Sequence, residues 1–467
     1  MDRIDLLDSG FLYLENREAP MHVAGLNLLK FPPRVHARKF MEQMAECYSS
    51  TTELRKPFAH KVAHGALGRL GPLYWEHDPD IDLDYHVRHS ALPQPGRYRE
   101  LFSLVSRLHS TLLDRSRPLW EVHLIEGLKN RELAVYTKLH HATIDGVAGV
   151  RLTEGGCSPD PKATVDLSPL SIAAHEKYKA EHRRAHAEEL APSDFELSTI
   201  ADFFKDQFET SAHFLGVIRN YATTWLGLGA GLAVPWRHVP HTMINTQVSS
   251  ARRFVAQSWS IERVRAVSKA ANVTINDVVL AMCSGALRHY LDDQGEHPRH
   301  SLRALVPVSV REKDDFDSPV AISYIIADLG TRHDDPGERL DAIAESTRAG
   351  KAMLSDLTSR EASLYATLMQ LPLFVASMMG VADWFPPVST VISNVPGPKE
   401  QLYWNGAPLL GTYPVSAVFH GFALNITFVS YNGNLDFGII ACRRTVPHVQ
   451  RLIDYLEQSL TELEEMV

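Results

Sequence analysis

The sequence predicts a mixed α/β (α+β) fold in two lobes, each a mixed sheet with helices. Three observations carry this. The chain has 467 residues, too many for one simple hydrophobic core. Strand-like alternation and helix-like stripes intermingle in residues 1–157 and again in 251–467. Between them, residues 158–250 change texture: a Pro/Asp/Ser run at 159–169, a charged run at 176–189, then Phe203, Phe204, Phe208, Phe214 and Leu215 giving a further helix an apolar side. That stretch reads as a connecting segment with helices of its own, and no fixed-period repeat is visible.

In the N-terminal lobe, residues 22–30 alternate as a strand. Leu101, Leu104, Val105, Leu108 and Leu112 share one helical face. Pro118 is expected to close that segment, because proline cannot continue a helix. Residues 122–125 and 133–139 read as strands joined by a polar turn at 127–131. In the C-terminal lobe, 253–261, 302–310, 322–329 and 388–393 are strand candidates, and 276–291 is a helix that begins at a polar cap. Residues 422–429 and 435–440 flank Asn432-Gly433, a strong hairpin signal. The chain closes on a helix with Val449, Leu452, Ile453, Leu456, Leu460 and Leu463 along one side.

Composition excludes several classes. Lys plus Arg number 47 against 56 Asp plus Glu, a net charge of −9. Such a chain has no general electrostatic pull toward nucleic acid or anionic lipid, although a local basic patch can still bind a phosphorylated cofactor. The cysteines (Cys47, Cys157, Cys283, Cys442) lie far apart with no CxxC pair, against a zinc ribbon or disulfide scaffold and in favour of a reducing compartment. Residues 1–5 lack the basic stretch and apolar core of a secretory signal. No window reaches the ~18 apolar residues that span a bilayer. The nearest, 225–236, is short and glycine-rich, able to touch a membrane interface but not to cross it. A cytoplasmic protein, peripheral at most at the inner membrane or at lipid inclusions, is expected.

The chemistry points to the run His140-His141-Ala142-Thr143-Ile144-Asp145-Gly146. Leu133, Val135, Thr137, Leu139 and His141 share one face of a strand; Ala134, Tyr136, Lys138 and His140 share the other. The two histidines therefore point apart, and one of them can face a given cleft. An imidazole at a strand end can take a proton from a hydroxyl at neutral pH. Asp145 can orient an imidazole, bond to backbone as a turn residue, or pair with a distant arginine, and Gly146 frees the backbone for a tight conformation. Diverging histidines without a third ligand cluster argue against a metal site. No serine or cysteine sits in a nucleophile elbow, so no covalent acyl-enzyme is suggested.

Further motifs stand in order along the chain: Leu6-Leu7-Asp8, Pro20-Met21-His22-Val23, Leu92-Pro93-Gln94-Pro95-Gly96, Pro118-Leu119-Trp120-Glu121, Asn276-Asp277-Val278-Val279, Val306-Pro307-Val308-Ser309-Val310-Arg311, Ser393-Asn394-Val395-Pro396-Gly397-Pro398 and Tyr403-Trp404-Asn405-Gly406. The HHxxxDG run is the signature of the coenzyme A-dependent acyltransferase superfamily, which includes chloramphenicol acetyltransferase and nonribosomal condensation domains. With the other motifs, essentially the whole chain resembles the bacterial wax ester synthases/diacylglycerol acyltransferases.

The resemblance implies two chloramphenicol-acetyltransferase-like lobes with a tunnel between them and the motif histidine at mid-tunnel. It implies acyl-CoA as substrate, no permanently bound cofactor, and a long-chain alcohol or diacylglycerol as acceptor. It makes His141 the base and His140 its support. It offers Asn276 as oxyanion donor, although Asn276 or Asp277 can equally cap the helix starting there. It pairs Asp145 with an arginine away from the reacting centre, for which Arg311 is the best candidate. Pro118, Leu119, Trp120 and Gly146 would border the pocket, though a buried tryptophan is more often core. Asn394, Pro396 and Gly397 would form a rigid turn that holds the lobes together or shapes the CoA mouth. The rival expectations are a stand-alone condensation-type acyltransferase using carrier-bound acyl groups, and a non-catalytic lipid-binding or lipid-droplet protein.

Overall fold

The computed structural model describes residues 2–50, 53–65, 68, 71–185, 223, 233–309, 322–355, 357, 361, 365, 376, 382–384 and 386–467. The helix expected around Phe203 to Leu215, most of 225–236, and Arg311 lie outside them.

Two six-stranded sheets carry the lobes. The first is built from β2 (His22–Lys30), β5 (Val87–Ala91), β6 (Trp120–Glu126), β7 (Glu132–His140), β12 (Tyr403–Trp404) and β13 (Ala407–Val415), in the order β12-β13-β2-β7-β6-β5. The second is built from β8 (Arg252–Ser260), β9 (Arg303–Ser309), β10 (Ile322–Asp328), β11 (Thr390–Pro396), β14 (Leu424–Tyr431) and β15 (Asn434–Cys442), in the order β10-β9-β11-β14-β15-β8. Both mix parallel with antiparallel neighbours: β5 runs parallel to β6, and β11 runs parallel to β9 and β14. A small third sheet joins β1 (Asp2–Arg3), β4 (Leu73–His77) and β3 (His60–His64).

The local signals account for most of these elements. Asn432 and Gly433 both take positive φ, 43° and 79°, as a two-residue turn between twisted strands requires, and β14 and β15 pair from Tyr431↔Asn434 outward. The closing helix α9 (Arg451–Met466) buries Leu452, Leu456, Leu460 and Leu463, each such side chain contributing roughly 1.5–3 kcal/mol over exposure. It packs on α7 (Ile275–Asp293), where Gly285 lets the backbones close in: a Cβ there would meet Ser459 Oγ at 2.5 Å. With α6 (Ile261–Ala270) and α8 (Pro336–Ser355), these helices cover one face of the second sheet. Among the described residues no single helix is long and apolar enough to cross a membrane.

On the first sheet, α3 (Tyr98–His109) covers one face through Leu101 and Val105. The opposite face receives α2 (Ala37–Ser49) and α4 (Gly146–Gly155). Helix α3 stops at His109, well before Pro118. Ser110 takes over the last turn, and Asp114 then binds the backbone N–H of Ser116 at 2.9 Å in a turn of its own. The expectation that Pro118 closes this helix is thus corrected: side chain-to-backbone turn bonds end it earlier.

Strand β13 was not legible in the sequence, and it ties the halves together. It belongs to the C-terminal half of the chain but pairs antiparallel with β2. It also presses on the second sheet. A Cβ at Gly438 would lie 1.7 Å from Pro414 O, and the buried Asp436 carboxylate accepts Thr412 N–H at 2.8 Å and Ser258 Oγ–H at 2.6 Å. These contacts between β13 and β15 tie the two sheets together, and residues of both sheets line a cavity between them.

Candidate active site

Strand β7 presents the alternation that period two demands. Val135, Thr137, Leu139 and, just beyond the strand, His141 line a cavity of about 310 Å3. The other set turns away: Tyr136 OH bonds His109 Nδ1 at 2.8 Å, and Lys138 Nζ donates to Leu108 O at 3.0 Å and Thr111 O at 2.6 Å. Burial pushes the Lys138 pKa down to about 8. The facing wall belongs to the second sheet, where Ser393 and Val395 of β11 lie beside Thr427, Val429 and Asn425 of β14. The cavity is thus apolar along most of its length, with a polar patch on one wall.

His141 is half-buried and reaches this space. Its backbone N–H donates to Met21 O at 2.9 Å. Its ring lies flat against Phe11 of α1 (Leu6–Leu14), with centroids 4.2 Å apart and planes at 15°. Nδ1 is buried without a hydrogen-bond partner among the described residues, so Nε2 is the nitrogen available to a substrate. Burial holds the imidazole pKa below its ordinary value, while the residue's own backbone and Asp145 act in the opposite direction. A neutral imidazole at neutral pH, ready to accept a proton, is the result.

His140 sits fully buried behind the strand. Its Nδ1 accepts Ala142 N–H at 3.1 Å, so Nε2 carries the proton, and Nε2 faces Glu15 Oε1 at 3.5 Å. Glu15 also accepts Met21 N–H at 3.1 Å and pairs with Arg115 at 3.0 Å. Burial alone would raise the Glu15 pKa; His140, Arg115 and the Met21 amide together hold it below the usual carboxylate value. Since Met21 O in turn takes the His141 amide, His140 and Glu15 brace His141 from behind. The two side chains leave the strand on opposite sides, His141 toward the cavity and His140 toward Glu15.

Asp145 caps α4: its Oδ1 accepts Ala148 N–H at 2.7 Å, the backbone-bonding role among those open to it. Its expected partner Arg311 lies outside the described residues. Gly146 lines the cavity at the first turn of α4, where an added Cβ would stand 3.2 Å from Val395 of the other lobe. A bare α-carbon there lets helix and strand close on each other.

Residues 4–279 match the wax ester synthase/diacylglycerol acyltransferase catalytic domain, and residues 321–464 match the C-terminal domain of the same proteins. The chain belongs to the wax ester synthase/diacylglycerol acyltransferase family. It is 41% identical to a probable diacylglycerol O-acyltransferase of Mycobacterium tuberculosis over 100% of both chains. It is 38% identical to the O-acyltransferase WSD of Acinetobacter baylyi, over 99% of this chain and 96% of that one. Among solved structures it is similar to the wax ester synthase/diacylglycerol acyltransferase from Marinobacter aquaeolei, with TM-score 0.77 and 38% identity over 100% and 99% of the chains. A starter condensation domain of rhizomide synthetase, 12% identical with TM-score 0.57 over 99% of this chain and 94% of that one, shares the fold alone. The expected two-lobed acyltransferase architecture is the one this family member has.

Other motif residues fall into place around that site. Leu119 and Trp120 are core. Trp120 stacks on His86 at 4.2 Å and donates its indole N–H to Phe58 O at 3.0 Å. Pro118 O accepts the Trp120 amide, and Leu119 O accepts the His140 amide at 3.0 Å. The Pro-Leu-Trp segment therefore does not appear in the cavity lining; it fixes the end of the strand that carries the histidines. The physical reason is the indole N–H, which is satisfied in the core by a backbone carbonyl.

Asp277 completes a capping box with Thr274: its Oδ2 accepts Thr274 N–H at 3.0 Å and Oγ1–H at 2.6 Å, while Oδ1 accepts Thr347 Oγ1–H at 2.6 Å. Asn276, half-buried in the first turn of α7, is not among the lining residues. Asn394 and Pro396 line the cavity, whereas Gly397 stands behind it, where a Cβ would meet Ser430 O at 2.5 Å.

Sequence reasoning passed over three lining groups. Asp8 and Phe11 lie three residues apart on α1 and so share a face; burial, with the charges of Asp5 and Asp145, pushes the Asp8 carboxyl up to about 7. Asn425 accepts Thr427 Oγ1–H at 2.8 Å through Oδ1, leaving its amide N–H groups as donors. Asp8 stood in a quoted motif and the i, i+3 spacing was available; Asn425 carried no local signal.

Proposed function

We propose that this chain is an O-acyltransferase that moves a long-chain acyl group from acyl-CoA to a long-chain alcohol or to diacylglycerol, with His141 as general base. The observation that carries the reading is the His141 imidazole opening onto an apolar cavity walled by both sheets. Family membership supplies the reaction class, and the apolar lining suits greasy chains.

The acceptor hydroxyl gives its proton to His141 Nε2 as its oxygen bonds to the thioester carbonyl carbon. The tetrahedral adduct then collapses, the C–S bond breaks, and the imidazolium returns the proton to the departing CoA thiolate. A positioned base of this kind contributes ~10²–10⁴-fold. Two substrates held in one cavity react faster through orientation alone. The oxyanion needs hydrogen-bond donors, each worth ~10²–10³-fold when well placed; of the lining asparagines, Asn27 already donates to Thr153 Oγ1 at 3.2 Å, whereas the N–H groups of Asn394 and Asn425 make no hydrogen bond among the described residues.

The test is CoA release by the purified protein from palmitoyl-CoA with hexadecanol and, separately, with dipalmitoylglycerol. Release with either acceptor, reduced at least a hundredfold in His141→Ala, is expected; undiminished release in that variant sinks the reading. Such acceptors partition into lipid, so the proposed place of work is the cytoplasmic face of a membrane or inclusion, which co-flotation with liposomes checks.

A further inference from the structure

Although the chain carries a net charge of −9, one cleft is ringed by arginine. It measures about 580 Å3 and lies between the outer face of α3, residues 250–253 at the start of β8, and Arg443 just past β15. Arg99, Arg107, Arg252, Arg253 and Arg443 line it, against a single carboxylate, Glu100. Glu100 is already engaged, its two oxygens taking the Arg97 backbone N–H at 2.7 Å and the Arg97 guanidinium at 3.0 Å. Arg252 is likewise committed, donating to Ser249 O, Glu18 O and Val418 O.

The remaining four are different. Among the described residues, Arg99, Arg107, Arg253 and Arg443 make no ion pair and no side-chain hydrogen bond. They also crowd one another: burial and then the charges of Arg443 and Arg99 hold the Arg253 guanidinium below its ordinary pKa. Like charges gathered in a concavity repel unless an anion sits among them. Guanidinium forks match phosphate oxygens in pairs, and Ser103 on α3 and Ser250 ahead of β8 add hydroxyl-bearing residues to the lining. Four uncommitted forks fit a ligand bearing several phosphates rather than one carboxylate.

The cleft also backs onto the reaction cavity. Arg252 Nη2 holds Val418 O at 3.0 Å, and His109 of α3 holds Ser416 O at 2.9 Å. Ser416 and Ala417, between those anchors, line the cavity that His141 faces. We infer that the arginine cleft is a binding site for a phosphate-rich group, and that the group is the phosphorylated adenosine end of a CoA thioester whose acyl end reaches His141. The assignment of the ligand rests on the acyltransferase reading; the anion site does not. A phospholipid headgroup offers the same chemistry, so the experiment carries an arm for each source.

The variants are Arg253→Gln, Arg443→Gln and their double, all on solvent-facing side chains, with melting temperature as the check on folding. Calorimetric binding of adenosine 3′,5′-bisphosphate is expected for the wild type and is expected to weaken roughly tenfold for each lost guanidinium. KM for palmitoyl-CoA should rise in parallel with kcat unchanged, while the N-acetylcysteamine thioester of palmitate, which has no phosphates, should be handled equally by all forms. If the bisphosphate binds no form and the variants instead lose only their binding to phosphatidylglycerol-containing vesicles, the CoA assignment is overturned and the lipid headgroup is the ligand. If bisphosphate binding, KM and vesicle binding are all unchanged at unchanged melting temperature, the anion site itself is overturned. A wild type that binds the bisphosphate yet transfers from neither thioester would overturn the acyltransferase reading and leave the cleft standing.

Discussion

Phe11 lies flat on the imidazole of His141, ring centroids 4.2 Å apart and planes within 15°. One residue belongs to the first helix of the chain; the other follows β7. The stack fixes the ring plane of a residue whose Nδ1 has no hydrogen-bond partner among the described residues, and so makes α1 part of the wall that positions His141.

Removing that stack should cost turnover rather than binding. Phe11→Ala frees the imidazole to rotate, and kcat is expected to fall on the order of 10–10²-fold, the scale of a small misplacement of a reacting group. Phe11→Tyr keeps a ring there and should retain most of the rate. Steady-state kinetics on both variants decide it; a wild-type kcat for Phe11→Ala would show that the stack positions nothing.

Asp8, one turn earlier on the same face, makes stability depend on pH. Burial raises its pKa from 3.8 to about 7. Between those values the folded chain holds a proton that the unfolded chain has released, so stability is full at the low end and is lost as pH rises through about 7. Asp8→Asn cannot ionise. Its melting temperature should exceed the wild type's by a few degrees at about pH 8, and the gap should close toward about pH 4. Parallel melting curves at every pH would refute the raised carboxyl.

Asp277 belongs to stability. Asp277→Ala leaves the Thr274 amide and the Thr347 hydroxyl without their acceptor, a loss of ~1–3 kcal/mol. Chemical denaturation should show that loss, with kcat unchanged well below the melting temperature. Asn276→Ala on the same two axes tests its neighbour: a fall in kcat at unchanged stability is the outcome expected of an oxyanion donor, and a fall in stability alone is that of a helix-start residue.

The histidine face was legible because period two is a local property. Val135, Thr137, Leu139 and His141 had to point one way once residues 132–140 formed a strand. Asn432-Gly433 was legible for the same reason, since a two-residue turn needs positive φ at both positions. Strand β13 was not. Pro408, Gly411 and Pro414 break every strand signal it has, and its partner β2 lies in the other half of the chain. Trp120 shows the opposite failure. It stood in a recognisable motif, but only packing shows that its N–H is spent on Phe58 O and its ring on His86.

The sequence determined the reaction class through the family its ordered motifs resemble, the divergence of the two histidines through residue periodicity, and the two-lobed architecture through length and the change of texture at 158–250. Tertiary structure decided which face meets the cavity, that Phe11 and Glu15 hold the two histidines, and that arginines from residues 99, 107, 253 and 443 converge on one cleft. Those facts depend on contacts between segments more than a hundred residues apart, and such proximity leaves no local pattern to read.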